Sequence, residues 1–280
     1  MPGSIAARLE QIDKRYIYIL LIVVLAIPFL LPIGLPVPIS VGTRKVHNAL
    51  ESLSPGAKVL YCFDTVSAVF PELVPIGVAV LEHLSRKPVK IYAISFIYEE
   101  ASMAVETLIR PKVDMSKKKY GEDYVNLGFY AGSEAAMAAF AGDVSKLVKK
   151  DYYGASVDQI PMMRDVRTAG DFNLLIWMGG SGLPLYLRQF YAPYKILTAA
   201  GAQAATYPQF TPYQAAGQIV GIINGLMGAA EYETLLRTRG LGIASADAIS
   251  LSHVAIIVLI ALGNIGYLSR PRTERRKEVG

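Results

Sequence analysis

The chain has 280 residues, of which 52% are apolar and 18% charged, with a net charge of +5 and one cysteine. That apolar content is high for a wholly soluble chain and fits a soluble domain carrying membrane anchors. The lone Cys62, inside an apolar run, excludes an intrachain disulfide framework and reads as a small core hydrophobe. The placement of charge argues against nucleic acid as a partner. Arg8, Lys14 and Arg15 lie in the N-terminal tail, and Arg270, Arg272, Arg275, Arg276 and Lys277 in the C-terminal one. After Glu10, Asp13, Glu274 and Glu278 are counted, the tails carry +4 of the +5. A phosphate-binding groove needs its charge in the domain, which is close to neutral here.

Residues 1–15 read as a cytoplasmic tail, with Ile5, Leu9 and Ile12 spaced for one face of a short helix at the membrane surface. No charge occurs between Arg15 and Arg44. Residues 16–38 are therefore expected to form the first transmembrane helix, since about twenty apolar residues cross a bilayer. Pro28 and Pro32 predict that it stays regular to about Ile27 and then bends. The length of this run and the lack of an A-x-A site favour a retained anchor over a cleaved signal.

Residues 41–248 then form the central domain. After an amphipathic helix from Thr43 to Leu53, short apolar runs alternate with helical patterns. Strands are expected at Lys58–Phe63, Lys90–Tyr98, Tyr124–Tyr130, Phe172–Met178 and Lys195–Ala200. Helices are expected at Ser67–Arg86, Glu99–Ile109, Ser133–Lys149 and Leu183–Tyr191. The alternation predicts an α/β fold with an open, mainly parallel five-stranded sheet, Rossmann-like or flavodoxin-like. Strands that are apolar throughout suit a sheet covered on both faces.

Tyr213–Arg237 is expected as one helix with Gly217, Gly221 and Gly225 at i, i+4 spacing, then Gly228. Each interior glycine costs a helix about 1 kcal/mol against alanine. Such a series suits a face against which another backbone packs, so these four are the expected helix-packing interface. Residues 249–269 form the second expected transmembrane helix, with His253 about one turn inside it, and 270–280 a basic cytoplasmic tail. Basic tails at both ends place both termini in the cytoplasm and the domain outside it, in a two-pass cell-membrane topology.

Ligands of open α/β sheets bind beyond the carboxyl ends of strands. That rule selects Asp64, Thr65, Ser95, Gly132, Ser133, Glu134, Gly179, Gly180, Ser181 and Gly182. The Gly179–Gly182 loop would let a backbone approach a ligand, and the helix after it could hold an anion. Specific catalytic motifs are missing. The turn after the first strand reads Asp64-Thr65-Val66-Ser67, without the glycines of a dinucleotide fingerprint. Ser181 stands in G-G-S-G-L and not in the G-x-S-x-G of a nucleophile elbow. His47, His83 and His253 are too far apart in sequence for their spacing to assemble a metal site or triad. No cofactor, metal site or catalytic residue is expected.

The stretches YGEDYVNLGFYAGSEAAMAAF, DYYGASVDQIPMM and GQIVGIINGLMGAAEYETLL, with the tail LIALGNIGYL, resemble an uncharacterised prokaryotic family of membrane-anchored, Rossmann-like α/β proteins with N- and C-terminal transmembrane helices. The resemblance implies a membrane-anchored module and carries no activity. The expected function is a non-catalytic domain acting in assembly, with the bilayer and with copies of itself or other membrane proteins as partners. The alternatives are a small-ligand-binding or sensory domain using the strand-end glycine loop, and a membrane-tethered hydrolase.

Overall fold

The computed structural model describes residues 13–268. The N-terminal lead-in up to residue 12 and the basic tail from residue 269 lie outside the described residues. The chain divides into two compact units. One is Pro36–Gly242; the other holds the described residues before Pro36 together with those from Ile243 onward.

The larger unit is α/β. Helix α2 (Val41–Glu51) is followed by β1 (Lys58–Phe63), α3 (Phe70–Ser85), β2 (Lys90–Ser95), α4 (Glu99–Ala104) and β3 (Tyr124–Phe129). Then come α5 (Glu134–Gly142), β4 (Leu174–Gly179), α6 (Leu183–Tyr186), β5 (Leu197–Ala202), α7 (Tyr207–Ala215), β6 (Ile222–Asn224) and α8 (Gly225–Leu236). Six strands pair in the order β3-β2-β1-β4-β5-β6. All five pairings are parallel, as in Val59 opposite Leu174 and Ala200 opposite Ile222. This is the strand order of a doubly wound, Rossmann-like sheet. The expectation of five strands is thus corrected to six.

Alternation along each strand builds two cores, because successive side chains point to opposite faces. Leu60, Cys62, Tyr92, Leu175 and Trp177 face one buried cluster, completed by Met137, Phe140 and Phe190. Val59, Tyr61, Phe63, Ile91 and Ile176 face the other, completed by Leu50, Ile76, Leu81 and Tyr232. Burial pushes the Cys62 thiol up, which keeps it protonated and inert.

The sixth strand overturns the helix expected over Tyr213–Arg237. The chain leaves α7 at Ala215 and turns at Gly217, whose φ is +71°. It then runs through β6 and enters α8 at Gly225, with φ +53°. Gly217, Gly221, Gly225 and Gly228 therefore do not share a helix face. Close backbone approach does explain Gly221. A Cβ there would strike the Gly42 carbonyl, and one on Gly42 would lie 2.7 Å from the Ile222 carbonyl oxygen. The glycines let the start of α2 lie against β6.

In the smaller unit, α1 (Lys14–Leu30) is a 17-residue helix capped by Asp13, whose carboxylate accepts the Arg15 N–H. It outlasts the expected bend near Ile27, with Pro28 inside it, and residues 31–40 are not helical. The long C-terminal helix α9 (Leu241–Leu268) begins in the larger unit and continues through the smaller one. Asp247 of α9 accepts backbone N–H groups from Ile33 (2.7 Å), Gly34 (2.8 Å) and Leu35 (2.9 Å).

Two described helical stretches are long and apolar enough to cross a membrane, Ser67–Ser85 and Leu241–Leu268. The first is 56% buried and is the core helix α3 with its leading turn. Of the most apolar 18-residue window of the second, only 6% is buried. Val254, Ile257, Ile260 and Ile265 in its later part are exposed, while Ile243, Ala244, Ala246 and Ala248 near its start are buried.

Candidate functional site

The strand order reverses between β1 and β4, which is where an open parallel sheet leaves its ligand crevice. Asp64 directly follows β1 and is fully buried. Its Oδ2 accepts the Phe96 N–H (3.0 Å) and its Oδ1 the Tyr98 N–H (2.9 Å), while the Ile97 N–H is shared by both oxygens. Tyr186 Oη donates to Oδ2 at 2.5 Å. Burial pushes the Asp64 carboxyl up, and the bonds from Tyr186 and the three amides oppose that push.

Two further carboxylates occupy the same end of the sheet. Glu100 accepts the Ser67 N–H (2.8 Å) ahead of α3, and Glu72 accepts the Ala204 N–H (2.5 Å) after β5. Free amides at helix starts and strand-end turns are what hold phosphates in nucleotide-binding sheets. Here the chain's own acidic side chains take them.

The glycine loop after β4 is packed from within. A Cβ on Gly179 would lie 2.7 Å from the Asp64 carbonyl oxygen, and one on Gly180 would lie 2.9 Å from Gln203 Oε1. Gly182, with φ +96°, lies against Ile97. The glycines bring the loops after β1, β2, β4 and β5 together. Thr65 is buried beside Asp64, and Ser95 Oγ donates to the Phe63 carbonyl (2.8 Å). Ser181 Oγ stands 3.5 Å from Tyr98 Oη. That hydroxyl pairs with a phenol and not with an imidazole. The structure thus gathers Asp64, Thr65, Ser95 and Gly179–Gly182 at the switch point.

Gly132, Ser133 and Glu134 follow β3, two strands out from β1. Ser133 adopts φ +49°, a strained value for a residue with a side chain. Glu134 opens α5 and receives Arg188 Nε (2.8 Å) and Nη2 (2.9 Å), with Gln189 Nε2 at 3.0 Å. The Arg188 bonds, then that of Gln189, hold the Glu134 carboxyl down to about 2. This group ties α5 to the segment after α6.

A second cluster lies at the other end of the strands and was not legible from sequence. His47 and Glu51 stand four residues apart on α2 and so share a face. His83, in the last turn of α3, meets them: its Nε2 is 3.0 Å from Glu51 Oε1. His47 Nε2 is 3.9 Å from the same oxygen, and the two imidazole rings are 5.0 Å apart. Tyr232 of α8 contacts His83 Nδ1 at 2.8 Å. Lys87 Nζ binds Glu51 Oε2 (3.1 Å) and the Glu51 carbonyl (2.7 Å). Burial holds the His83 imidazole down to about 4, against the pull of Glu51, so it is neutral at pH 7. The Lys87 hydrogen bond is the main reason that Glu51 lies below the usual carboxylate range. The cluster opens on a cavity of about 410 Å³ lined also by Arg86, Leu235, Leu236 and Arg237. The only sequence signal was the His47-x-x-x-Glu51 spacing. His83 is contributed by another helix, and His253 belongs to α9.

Comparison with known protein families, curated proteins and solved structures finds no match to this chain. The resemblance drawn from the sequence therefore adds no activity and no site residue.

Proposed function

We propose that the chain is a membrane-anchored α/β domain without catalytic chemistry at its switch point, acting as a subunit of a membrane assembly. The observation that carries this reading is the set of internal carboxylates at the carboxyl ends of the strands. Asp64, Glu72 and Glu100 already accept the backbone N–H groups that a phosphate would need. A nucleotide would have to displace a buried carboxylate and meet its negative charge. The hydrolase alternative loses ground because Ser181 Oγ pairs with Tyr98 Oη and not with an imidazole.

Anchoring is supported by α9, whose exposed apolar surface needs lipid or protein to cover it. It is also supported by Asp247. Non-helical backbone is tolerated at membrane depth only where its polar groups are satisfied. Asp247 satisfies the three amides of Ile33, Gly34 and Leu35, in the apolar run after α1. On this reading both basic tails are cytoplasmic and the α/β domain is outside. The four glycines do not share a helix face, so the assembly surface is assigned to the apolar faces of α1 and α9.

The test is twofold. Purified protein in mild detergent is expected to run as an oligomer by light scattering, and a monomer at every accessible concentration would sink the assembly reading. Nucleotides, sugars and anions are expected to leave the melting temperature unchanged. A concentration-dependent rise that Gly180→Leu removes would instead favour the ligand-binding alternative.

A further inference from the structure

The cluster at the amino ends of the strands has the composition of a metal centre. Imidazole and carboxylate ligands suit zinc and its neighbours among divalent transition metals. In a tetrahedral zinc site, with bonds of about 2.0–2.2 Å, ligand atoms stand roughly 3.4 Å from one another. Glu51 Oε1 is 3.0 Å from His83 Nε2 and 3.9 Å from His47 Nε2, bracketing that spacing. The three donor atoms all lie within 4.8 Å of one another.

We propose that His47 Nε2, Glu51 Oε1 and His83 Nε2 bind one divalent transition-metal ion of the zinc type, with water from the adjoining cavity as the fourth ligand.

The surrounding contacts fit that role. A ligating imidazole normally has its second nitrogen engaged by an oxygen, which sets the ring's tautomer and direction. His83 Nδ1 is held by Tyr232 Oη, and His47 Nδ1 stands 3.5 Å from Asn48 Oδ1. Both Nε2 atoms are left facing Glu51. Without metal, Tyr232 donates to Nδ1 and His83 Nε2–H donates to Glu51. On binding, the His83 proton resides on Nδ1 and Tyr232 Oη accepts it, so the same contact serves both states. Glu51 is held as a one-oxygen ligand, because Lys87 engages its Oε2. The lysine orients the carboxylate at the cost of placing a cation near the ion. The ligands are also held before metal arrives. Two come from one helix face, and His83 is 2% exposed on the core helix α3. The site has an open side, since the cavity of about 410 Å³ begins at these three residues. Three protein ligands with an open position distinguish it from a closed structural zinc site.

The experiment uses full-length protein in detergent, stripped with a chelator and titrated with Zn²⁺ by calorimetry and with Co²⁺ by visible absorption. One equivalent of Zn²⁺ per chain is expected, and Co²⁺ should give the d–d bands of a tetrahedral site. Tyr232→Phe is expected to weaken Zn²⁺ binding about 10–100-fold, the usual effect of an outer-shell partner. His47→Ala and Glu51→Gln are expected to weaken it further and to remove the Co²⁺ bands. Both lie on the partly exposed face of α2, and circular dichroism checks that each variant folds. Failure of the wild-type chain to bind Zn²⁺ or Co²⁺ stoichiometrically would overturn the proposal. So would wild-type affinity in the folded His47→Ala or Glu51→Gln chain.

Discussion

Tyr186 Oη donates a 2.5 Å hydrogen bond to Asp64 Oδ2, joining the first helix after β4 to the residue that directly follows β1. The contact spans the topological switch point. Three backbone amides from the loop after β2 complete the coordination of the carboxylate. A buried carboxylate with four donors knits three strand ends together at the position where open parallel sheets bind their ligands.

Removing either partner should therefore cost stability. Tyr186→Phe deletes one hydrogen bond to a charged group and is expected to cost about 1.5–3 kcal/mol. Asp64→Ala leaves three amides and a phenol without their acceptor in a dry site, and is expected to cost about 3–5 kcal/mol. Trp177, the chain's single tryptophan and fully buried in β4, reports unfolding by fluorescence in urea. Wild-type midpoints in Asp64→Ala would mean that the carboxylate does not hold the crevice together.

The contact also marks what could be read from the sequence. The switch-point rule picked Asp64 and Gly179–Gly182, and the structure does bring them together. Their role was not legible, because whether a carboxylate faces a ligand or its own backbone depends on the Phe96–Tyr98 loop, more than thirty residues away. Five strands were readable as apolar runs of about six residues. The sixth is three residues long and lies among glycines whose i, i+4 spacing imitates a helix face. Their turn at Gly217 depends on positive φ, which glycine permits but does not announce. His47 and His83 belong to different helices, and only the packing of α2 and α3 against α8 brings them together.

Glu134 and Arg188 provide a pH-dependent contact. The carboxyl is lowered from 4.5 to about 2 by Arg188 and then Gln189. A lowered carboxyl favours the fold above its unfolded pKa, so this contribution is present above about pH 4.5 and is lost as pH falls toward 2. In Arg188→Gln, the Glu134 titration measured by carboxyl NMR is expected to return toward 4.5. The pair is solvated, so added salt should weaken it. A Glu134 midpoint that stays near 2 without the guanidinium would count against this account.

The exposed face of α9 makes the anchoring reading testable in membranes. Ile256 and Ile260 lie one turn apart on it, and both are exposed. A lysine near the centre of a membrane helix costs roughly 2.5–3.5 kcal/mol. The double change Ile256→Lys, Ile260→Lys is expected to raise the share of the chain that carbonate extracts from membranes, with α1 retaining the rest. The wild-type chain should remain with the membranes. Equal retention of both would argue that α9 is not in contact with lipid.

Asp247 offers a finer test of the same unit. Its Oδ2 accepts from Ile33 and Gly34, and its Oδ1 from Leu35, so one carboxylate replaces the helical hydrogen bonds that the chain lacks after Leu31. Each amide left without a partner costs about 1–3 kcal/mol where water is scarce. Asp247→Ala is expected to lower the melting temperature in detergent and to speed amide hydrogen exchange at all three residues. Asp247→Asn keeps one acceptor oxygen and brings an NH2 group that cannot accept, so only part of that protection should be lost. Hydrogen exchange read by mass spectrometry on peptides covering residues 31–36 distinguishes these outcomes. Unchanged protection in Asp247→Ala would mean that the segment after α1 is held by something other than this carboxylate.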